Sequence, residues 1–436
     1  MRPYKVLLFI VACMCALGGM CLVLPHRVEV GSRTLRWPTL TEVLTSSSRE
    51  EVIDTDTIEV IETIEGADTL AVQTPSPEEE AAPVAIPHVQ VDSTTDSRVF
   101  LAAFYASLQE APNRKIRVVH YGDSQIEEDR MTVQIREHLQ DRYGGRGVGL
   151  MPLAQTIPSR SIQQRLYMNE RLVSPQQGPR RYIVYGFKRD QRADGMYGPM
   201  GQVALMNDSL VKGSEEIMTV CTPLDGRPAY TRWQVFADTS VHYSHSGDTV
   251  RLSGNGKVYG LSQESETGII VDNIAMRGCL GTVFTRINAE QLRRFYAEEN
   301  VTLIIMQFGG NAIPSNRNPG TIQAIVSGLR EQVQFLRTCA PNTSFLFIGP
   351  SDMLTQTDGE WQTYPMVPYM DKLLRKMAME EQIAYFSLYR WMGGSGSMLR
   401  WQEVGLAGSD GVHFTRAGAR KAGNAVAEWI LEGIEN

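Results

Sequence analysis

Predicted strands and helices alternate regularly through the last part of the chain, and this alternation limits the fold more than any other feature. Apolar, β-branched stretches predict strands, and apolar residues three or four positions apart predict helices. From residue 269 onward the predicted strands are 269–274, 302–308, 343–348 and 383–387, and the predicted helices are 288–299, 320–338, 366–381 and 416–433. Such alternation is typical of α/β proteins with a doubly wound parallel sheet between two layers of helices.

The first strand and helix of this sheet lie far upstream of the others. Residues 117–142 predict a buried strand, a sharp turn and a helix. Residues 150–268 consist instead of short alternating stretches separated by glycine and aspartate, which indicates antiparallel strands. We therefore expect a core domain formed by 97–149 and 269–436, interrupted by an inserted β-rich domain at 150–268.

Aromatic residues in the insert allow two interpretations. Stacking on sugar rings would make the insert a carbohydrate-binding domain, whereas aromatic residues in strands are commonly part of a core. The residues concerned are Tyr182, Tyr185, Trp233 and Tyr243.

The N-terminus indicates export. Residues 6–24 form an uncharged run of 19 residues after Arg2 and Lys5, and a helix of this length can cross a hydrocarbon core of roughly 30 Å. The positive residues should stay in the cytoplasm. We therefore expect a membrane anchor or signal segment over 1–27, which places the body in the periplasm, anchored to the inner membrane or exported. Signal cleavage and lipidation at Cys13 are the alternatives.

The negative charge of the chain is concentrated in one segment. The formal net charge is −7, and residues 41–96 alone hold 14 acidic residues against one basic residue. With few apolar residues to offset the entropy of ordering, 28–96 is predicted to be an acidic disordered linker. The remainder has no basic excess large enough for nucleic-acid binding. No Cys-x-x-Cys pair indicates a metal site.

Polar or glycine-rich segments follow three of the predicted strands. Ser124 lies between strand 117–121 and helix 125–142, Gly278 follows the next strand, and Asn311 follows the third. A fourth segment, immediately before the last predicted helix, contains Asp410 and His413. In a doubly wound sheet, ligands bind outside the carboxyl ends of the strands. We therefore expect these residues to meet at one edge.

These residue types fit acyl transfer by a serine. A serine hydroxyl at a helix N-terminus lies where N–H groups favour negative charge, but it needs a base. His413 could accept the proton of Ser124, and Asp410 could hold the imidazole tautomer. The N–H groups of Ser124 and Gly278 and the amide of Asn311 could bind the oxyanion of a tetrahedral intermediate.

The four segments resemble, in order, the four blocks of the SGNH (GDSL) hydrolase superfamily. The blocks are Tyr-Gly-Asp-Ser-Gln at 121–125, Gly278, Gly-Gly-Asn at 309–311 and Asp-Gly-Val-His at 410–413. The resemblance covers 115–150 and 269–436 and implies a three-layer α/β/α core. Gly281 is a second candidate for the second block, and we prefer Gly278 because it lies closer to the strand end.

The resemblance also implies roles for these residues. Ser124, Asp410 and His413 correspond to the catalytic triad, and Ser124, Gly278 and Asn311 correspond to the oxyanion hole. No metal and no organic cofactor are implied.

In its organisation the chain is most similar to the bacterial peptidoglycan O-acetylesterases, whose insert resembles a carbohydrate-binding module. This implies removal of O-acetyl groups from a cell-envelope glycan, with peptidoglycan as the first choice, through an acetyl-serine intermediate. Related envelope proteins are acetyltransferases that work with a membrane-bound O-acyltransferase, and the sequence leaves that alternative open because the two differ in acceptor positioning and water exclusion. A non-catalytic glycan-binding protein is the third possibility.

Overall fold

The computed structural model describes residues 27–30, 33–36, 96–153, 157–173, 216–224, 232–237, 239–256, 258–357 and 359–435. The chain divides into two units, Met1–His88 and Val89–Asn436. The predicted membrane segment lies outside the described residues apart from position 27, and so do residues 37–95 of the predicted linker. Among the helices that are described, none has the length and apolarity needed to cross a membrane.

The elements of the described residues are named in chain order. The strands are β1 (Arg27–Val30), β2 (Arg33–Arg36), β3 (Lys115–Gly122), β4 (Gly149–Met151), β5 (Ile162–Met168), β6 (Arg171–Val173), β7 (Ile217–Pro223), β8 (Arg232–Ala237), β9 (Val241–Ser246), β10 (Thr249–Gly254), β11 (Val258–Glu264), β12 (Gly268–Ala275), β13 (Val301–Gln307), β14 (Ser344–Gly349), β15 (Leu354–Thr357), β16 (Glu360–Thr363) and β17 (Ala384–Ser387). The α-helices are α1 (Ala102–Leu108), α2 (Thr132–Tyr143), α3 (Ala289–Glu298), α4 (Pro319–Cys339), α5 (Val367–Glu380), α6 (Leu388–Met392), α7 (Ser397–Glu403) and α8 (Arg416–Glu435).

In the first unit, β1 and β2 form an antiparallel hairpin. This hairpin lies at the start of the range predicted to be a disordered linker.

The second unit is built on a parallel sheet with the strand order β12-β3-β13-β14-β17. Nearly every residue of these strands is buried, as expected for a parallel sheet covered on both faces. One face packs against α3, α4 and α5 through residues such as Leu292, Leu329 and Leu374. The other face packs against α1, α2 and α8 through residues such as Phe104, Ile135 and Val426. The predicted doubly wound α/β fold with three layers is confirmed.

The predicted helix at 125–142 begins seven residues late in the structure, at Thr132. Residues Glu127–Asp129 form a 3₁₀ turn in which Glu128 and Asp129 both have a φ of +61°. The Asp129 carboxylate points inward, where the guanidinium of Arg136 binds it with N–O distances of 2.5 and 3.2 Å. This buried ion pair holds a conformation that no helical periodicity could have predicted.

The insert consists of two antiparallel sheets, as the sequence predicts. Their strand orders are β6-β5-β7-β10-β9 and β4-β11-β8. The insert has its own apolar cluster, in which Trp233 is a core residue, only 3% exposed. Its first strand β4 pairs with its last strand β11, with Met151 opposite Leu261. The chain therefore enters and leaves the insert at neighbouring positions. Tyr182 and Tyr185, two of the aromatic residues considered for sugar stacking, lie outside the described residues.

A buried cluster of charges joins the insert to the parallel sheet. Arg117 of β3 is fully buried and binds Glu264, at the end of β11, and Asp272 of β12 at 2.8 Å. Burial lowers the pKa of Arg117, but the carboxylates of Asp272, Glu264 and Glu299 outweigh it and raise the pKa above its ordinary value. Lys115 completes the cluster through Glu264 and Glu299, both at 2.7 Å. The insert is thus tied to the core by charge pairing in addition to apolar contact.

Candidate active site

The strand order places a crevice between β3 and β13. From β3 the chain continues to β12 on one side and then crosses to β13 on the other side. The carboxyl ends of β3 and β13 therefore form the topological switch point, where doubly wound sheets bind ligands. Ser124 follows β3 and Asn311 follows β13, so the fold brings these two predicted residues to the same crevice.

Ser124, His413 and Asp410 form a continuous hydrogen-bonded relay at this crevice. The Oγ atom of Ser124 lies 2.9 Å from Nε2 of His413, and Nδ1 of His413 lies 2.7 Å from Oδ2 of Asp410. With the proton on Nδ1, the ring donates to Asp410 and presents Nε2 as the acceptor for the serine hydroxyl. The structure thus brings the three predicted triad residues together.

Asp410 is held in its ionised form. Its Oδ1 atom accepts the backbone N–H groups of Val412 and His413, both at 3.0 Å. Partial burial works to raise the pKa of Asp410, but the hydrogen bonds from His413 and Val412 outweigh it and hold the pKa well below its ordinary value. The carboxylate is therefore charged at neutral pH and can stabilise an imidazolium.

The loop that carries Asp410 and His413 is fixed by contacts on both sides. The carbonyl of Gly411 accepts the N–H of Leu354 at 2.9 Å, and Gln125 Nε2 donates to the carbonyl of Val412 at 2.8 Å. Gly411 has a φ of +67°, and a Cβ atom at this position would lie 2.9 Å from Leu354. Gln125, directly after the serine, therefore links the first and fourth blocks, a role that the sequence analysis missed.

The structure distinguishes between the two glycines that are candidates for the second block. Both have a positive φ, +72° for Gly278 and +85° for Gly281. A Cβ atom on Gly281 would lie 2.6 Å from Phe308, so core packing explains that glycine, whereas the space around Gly278 is open. Within the described residues, the N–H groups of Ser124 and Gly278 donate to no protein acceptor. These two donors are available to an oxyanion.

Asn311 is oriented by the protein around it. Its Nδ2 atom lies 3.1 Å from Oδ2 of Asp123 and 3.2 Å from the carbonyl oxygen of Cys279. The amide group is partly buried beside the loop that carries Gly278. To bind an oxyanion, one of its two N–H groups must be shared with the substrate.

Asp123 connects the first block to the third. It is 4% exposed, and its Oδ1 atom accepts the N–H of Gln125 at 2.9 Å while Oδ2 accepts the amide of Asn311. Burial raises the pKa of Asp123 to about 6, although the N–H of Gln125 and the nearby His413 oppose the shift. Its hydrogen bonds to both loops agree with the structural role that its place in the turn suggests.

Among the described residues, the other histidines offer no second site. His120 is fully buried between Gln307 and Thr132, and burial lowers its pKa to about 3. His242 and His245 are exposed on β9. Among the described residues, no group of three or more potential ligands could hold a metal ion.

No protein-family model and no curated protein matches the chain. A solved peptidoglycan O-acetylesterase is similar at a TM-score of 0.59 and 19% identity, over 78% of this chain and 99% of that chain. The carbohydrate acetylesterase Est24 from Sinorhizobium meliloti has a TM-score of 0.28 and 17% identity, over 38% of this chain and 79% of its own. The chain therefore has the fold of the SGNH hydrolase superfamily, extended by a β-rich insert.

Proposed function

We propose that this protein is a serine esterase that removes O-acetyl groups from a cell-envelope glycan. The relay from Ser124 through His413 to Asp410, at 2.9 and 2.7 Å, is the observation that carries the proposal. A serine that only capped a helix would not need a histidine at hydrogen-bond distance with a carboxylate behind it. The relay also favours an enzyme over a glycan-binding protein that merely retains the fold.

In the proposed mechanism, Ser124 Oγ attacks the acetyl carbonyl carbon while His413 Nε2 takes the hydroxyl proton. The oxyanion that forms accepts hydrogen bonds from the N–H groups of Ser124 and Gly278 and from the Asn311 amide. The intermediate then collapses, the bond to the sugar oxygen breaks, and His413 returns the proton to that oxygen. Water, activated by the same histidine, hydrolyses the acetyl-serine and releases acetate.

Peptidoglycan is the glycan that we propose as substrate. Support comes from the similarity in fold to a peptidoglycan O-acetylesterase, which covers 78% of this chain and therefore more than the core domain of 97–149 and 269–436 alone. The uncharged run at 6–24 supports a location in the envelope. If a sugar hydroxyl replaces water as acceptor, the same relay would serve an acetyltransferase supplied by a membrane-bound O-acyltransferase.

The test is acetate release from O-acetylated peptidoglycan by residues 89–436, with a chromogenic acetyl ester assayed in parallel. Ser124→Ala should abolish both activities, and Ser327→Ala, an exposed serine of α4, should change neither. If only the chromogenic ester is hydrolysed, either the reaction is acetyl transfer to a sugar or the substrate is a glycan other than peptidoglycan. Near wild-type activity in Ser124→Ala would remove this serine from the mechanism.

A further inference from the structure

The structure has a cleft of about 570 Å³ that the proposed mechanism does not use. One wall is α2, which contributes Gln134, Glu137 and Gln140, three or four positions apart and so on one helical face. The start of α8 forms a second wall, and residues of the insert, including Leu224, form the third. The cleft therefore lies where the core and the insert meet.

Five arginines line this cleft: Arg130, Arg136, Arg160, Arg416 and Arg420. Arg136 is neutralised by its buried pair with Asp129. Arg130 and Arg160 share one carboxylate, that of Glu128, at 3.4 and 3.6 Å. Glu137 is the one acidic residue in the lining. Positive charge is therefore in excess here.

Arg416 and Arg420 carry most of this excess. Both side chains are exposed, and neither forms an ion pair with any residue that the structure describes. Burial lowers the pKa of Arg160, and the positive charges of Arg130 and Arg416 add to this effect against the opposing Glu128. The arginines are thus close enough to repel each other, and a bound anion would relieve that repulsion.

Two lining residues of the cleft are close in sequence to residues of the relay. Arg416 is three residues after His413 and opens α8, while Arg130 is six residues after Ser124 and precedes α2. The Cα atoms of His413 and Arg416 are therefore at most roughly 11 Å apart. From Val133 to Gln140 the lining extends roughly 10 Å along α2, at 1.5 Å per helical residue. A polymer with an acetyl group at Ser124 could therefore place a neighbouring unit in the cleft.

We propose that this cleft binds an anionic group, a carboxylate or a phosphate, on the polymer that is deacetylated at Ser124. The identity of the polymer rests on the proposed function. Binding of an anion in the cleft does not, because it can be measured without hydrolysis. Arginine guanidinium groups bind both kinds of anion through paired, charge-assisted hydrogen bonds. A neutral acetylated glycan would gain nothing from these side chains.

The experiment compares the full chain with Arg416→Gln/Arg420→Gln. The matched control is Lys372→Gln/Arg375→Gln, which removes the same charge from exposed positions on α5, across the sheet. Binding is measured by calorimetry to polygalacturonate, to poly(glycerol phosphate) and to neutral dextran. Each titration is repeated at about 50 and about 500 mM salt, because screening separates electrostatic binding from other contacts.

We expect binding to at least one polyanion, weakened by salt, and no binding to dextran. The cleft variant should lose at least about tenfold in affinity and the control less than about twofold. Tighter binding of polygalacturonate would indicate a carboxylate site, and tighter binding of poly(glycerol phosphate) would indicate a phosphate site. Equal losses in both variants, or no polyanion binding by the wild type, would overturn the inference.

A kinetic comparison separates this inference from the proposed function. The ratio of kcat/KM on an O-acetylated anionic glycan to kcat/KM on a neutral aryl acetate should fall at least about tenfold in the cleft variant, through KM. Thermal unfolding checks that the variant folds. If the wild type binds polyanions through the cleft but hydrolyses neither ester, the proposed function fails and the anion site stands.

Discussion

Asp123, the residue before Ser124, makes the free energy of unfolding depend on pH. Its pKa is raised from 3.8 to about 6 by burial. Between these two pH values the folded chain holds a proton that the unfolded chain has lost, so the contribution of Asp123 to stability falls as pH rises from about 4 to about 6. Above about pH 6 the loss of stability caused by Asp123 is complete and no longer changes with pH.

We predict that Asp123→Asn removes this pH dependence. A difference of about two pH units corresponds to about 3 kcal/mol, so wild type should lose up to that amount relative to the variant between pH 4 and pH 6. Urea unfolding of both proteins across this range measures the difference in the free energy of unfolding. A difference that does not change with pH would show that Asp123 titrates in its ordinary range.

Asn311 gives a second prediction for a single residue. If its amide donates to the oxyanion, Asn311→Ala should lower kcat by about 10²–10³-fold with a smaller effect on KM. Asn316→Ala is the matched control, because Asn316 lies in the same loop and donates to the carbonyl of Ala312 at 2.7 Å. A loss of less than about threefold in Asn311→Ala would mean that another group binds the oxyanion.

Most residues of the candidate site could be predicted from the sequence, but the residues of the cleft could not. Ser124, Asp410 and His413 could be predicted because each lies in a short block beside a predicted strand or helix. The arginines of the cleft could not, because Arg130, Arg160 and Arg416 come from segments far apart in sequence and belong to no shared motif. Only the fold makes them neighbours.

At the scale of elements, the four core helices predicted after residue 269 agree with the structure to within two residues at each end. The side chain of Asn288 accepts the N–H of Gln291 at 3.0 Å, and α3 begins directly after Asn288. The predicted start of α2 was wrong because the buried ion pair of Asp129 and Arg136 holds a turn where the helix was expected. Hairpin β15–β16 was missed for a related reason: it is short and largely exposed, so it has little apolar periodicity.

The turn before α2 carries the prediction that belongs to this scale. Asp129→Ala would leave the guanidinium of Arg136, only 4% exposed, without its carboxylate. Removing one partner of a buried ion pair costs about 3–5 kcal/mol, whereas an exposed pair contributes less than about 1 kcal/mol. Urea unfolding of this variant measures the loss.

Glu290→Ala is the control for that experiment, because it breaks an exposed pair with Arg293 on α3. Equal effects of the two substitutions would show that solvent reaches Arg136 and solvates it once Asp129 is gone.

At the scale of the whole molecule, the insert can be removed with little strain. Met151 and Leu261 lie opposite each other in antiparallel strands, so an Asn-Gly turn between them should replace 152–260 with a tight hairpin. This deletion keeps Leu150, whose N–H donates to Asp272 at 2.8 Å, and keeps Glu264 beside Arg117.

We predict that this deletion lowers activity on polymeric glycan at least about tenfold more than activity on an aryl acetate, because the insert forms one wall of the cleft while the relay lies wholly in the core. The measurement is kcat/KM on both substrates, with thermal unfolding to confirm that the shortened chain folds. Equal losses on the two substrates would assign the insert a purely structural role.

The distance along the chain between the two ends of the relay has a consequence for how the protein is made. Ser124 and His413 are separated by 289 positions. At roughly 5–20 residues per second, a ribosome adds His413 roughly 15–60 s after Ser124. Until then Ser124 lacks His413, so under the proposed mechanism a chain that ends before His413 should not hydrolyse esters. The relay can therefore form only after all five strands of the parallel sheet have been synthesised.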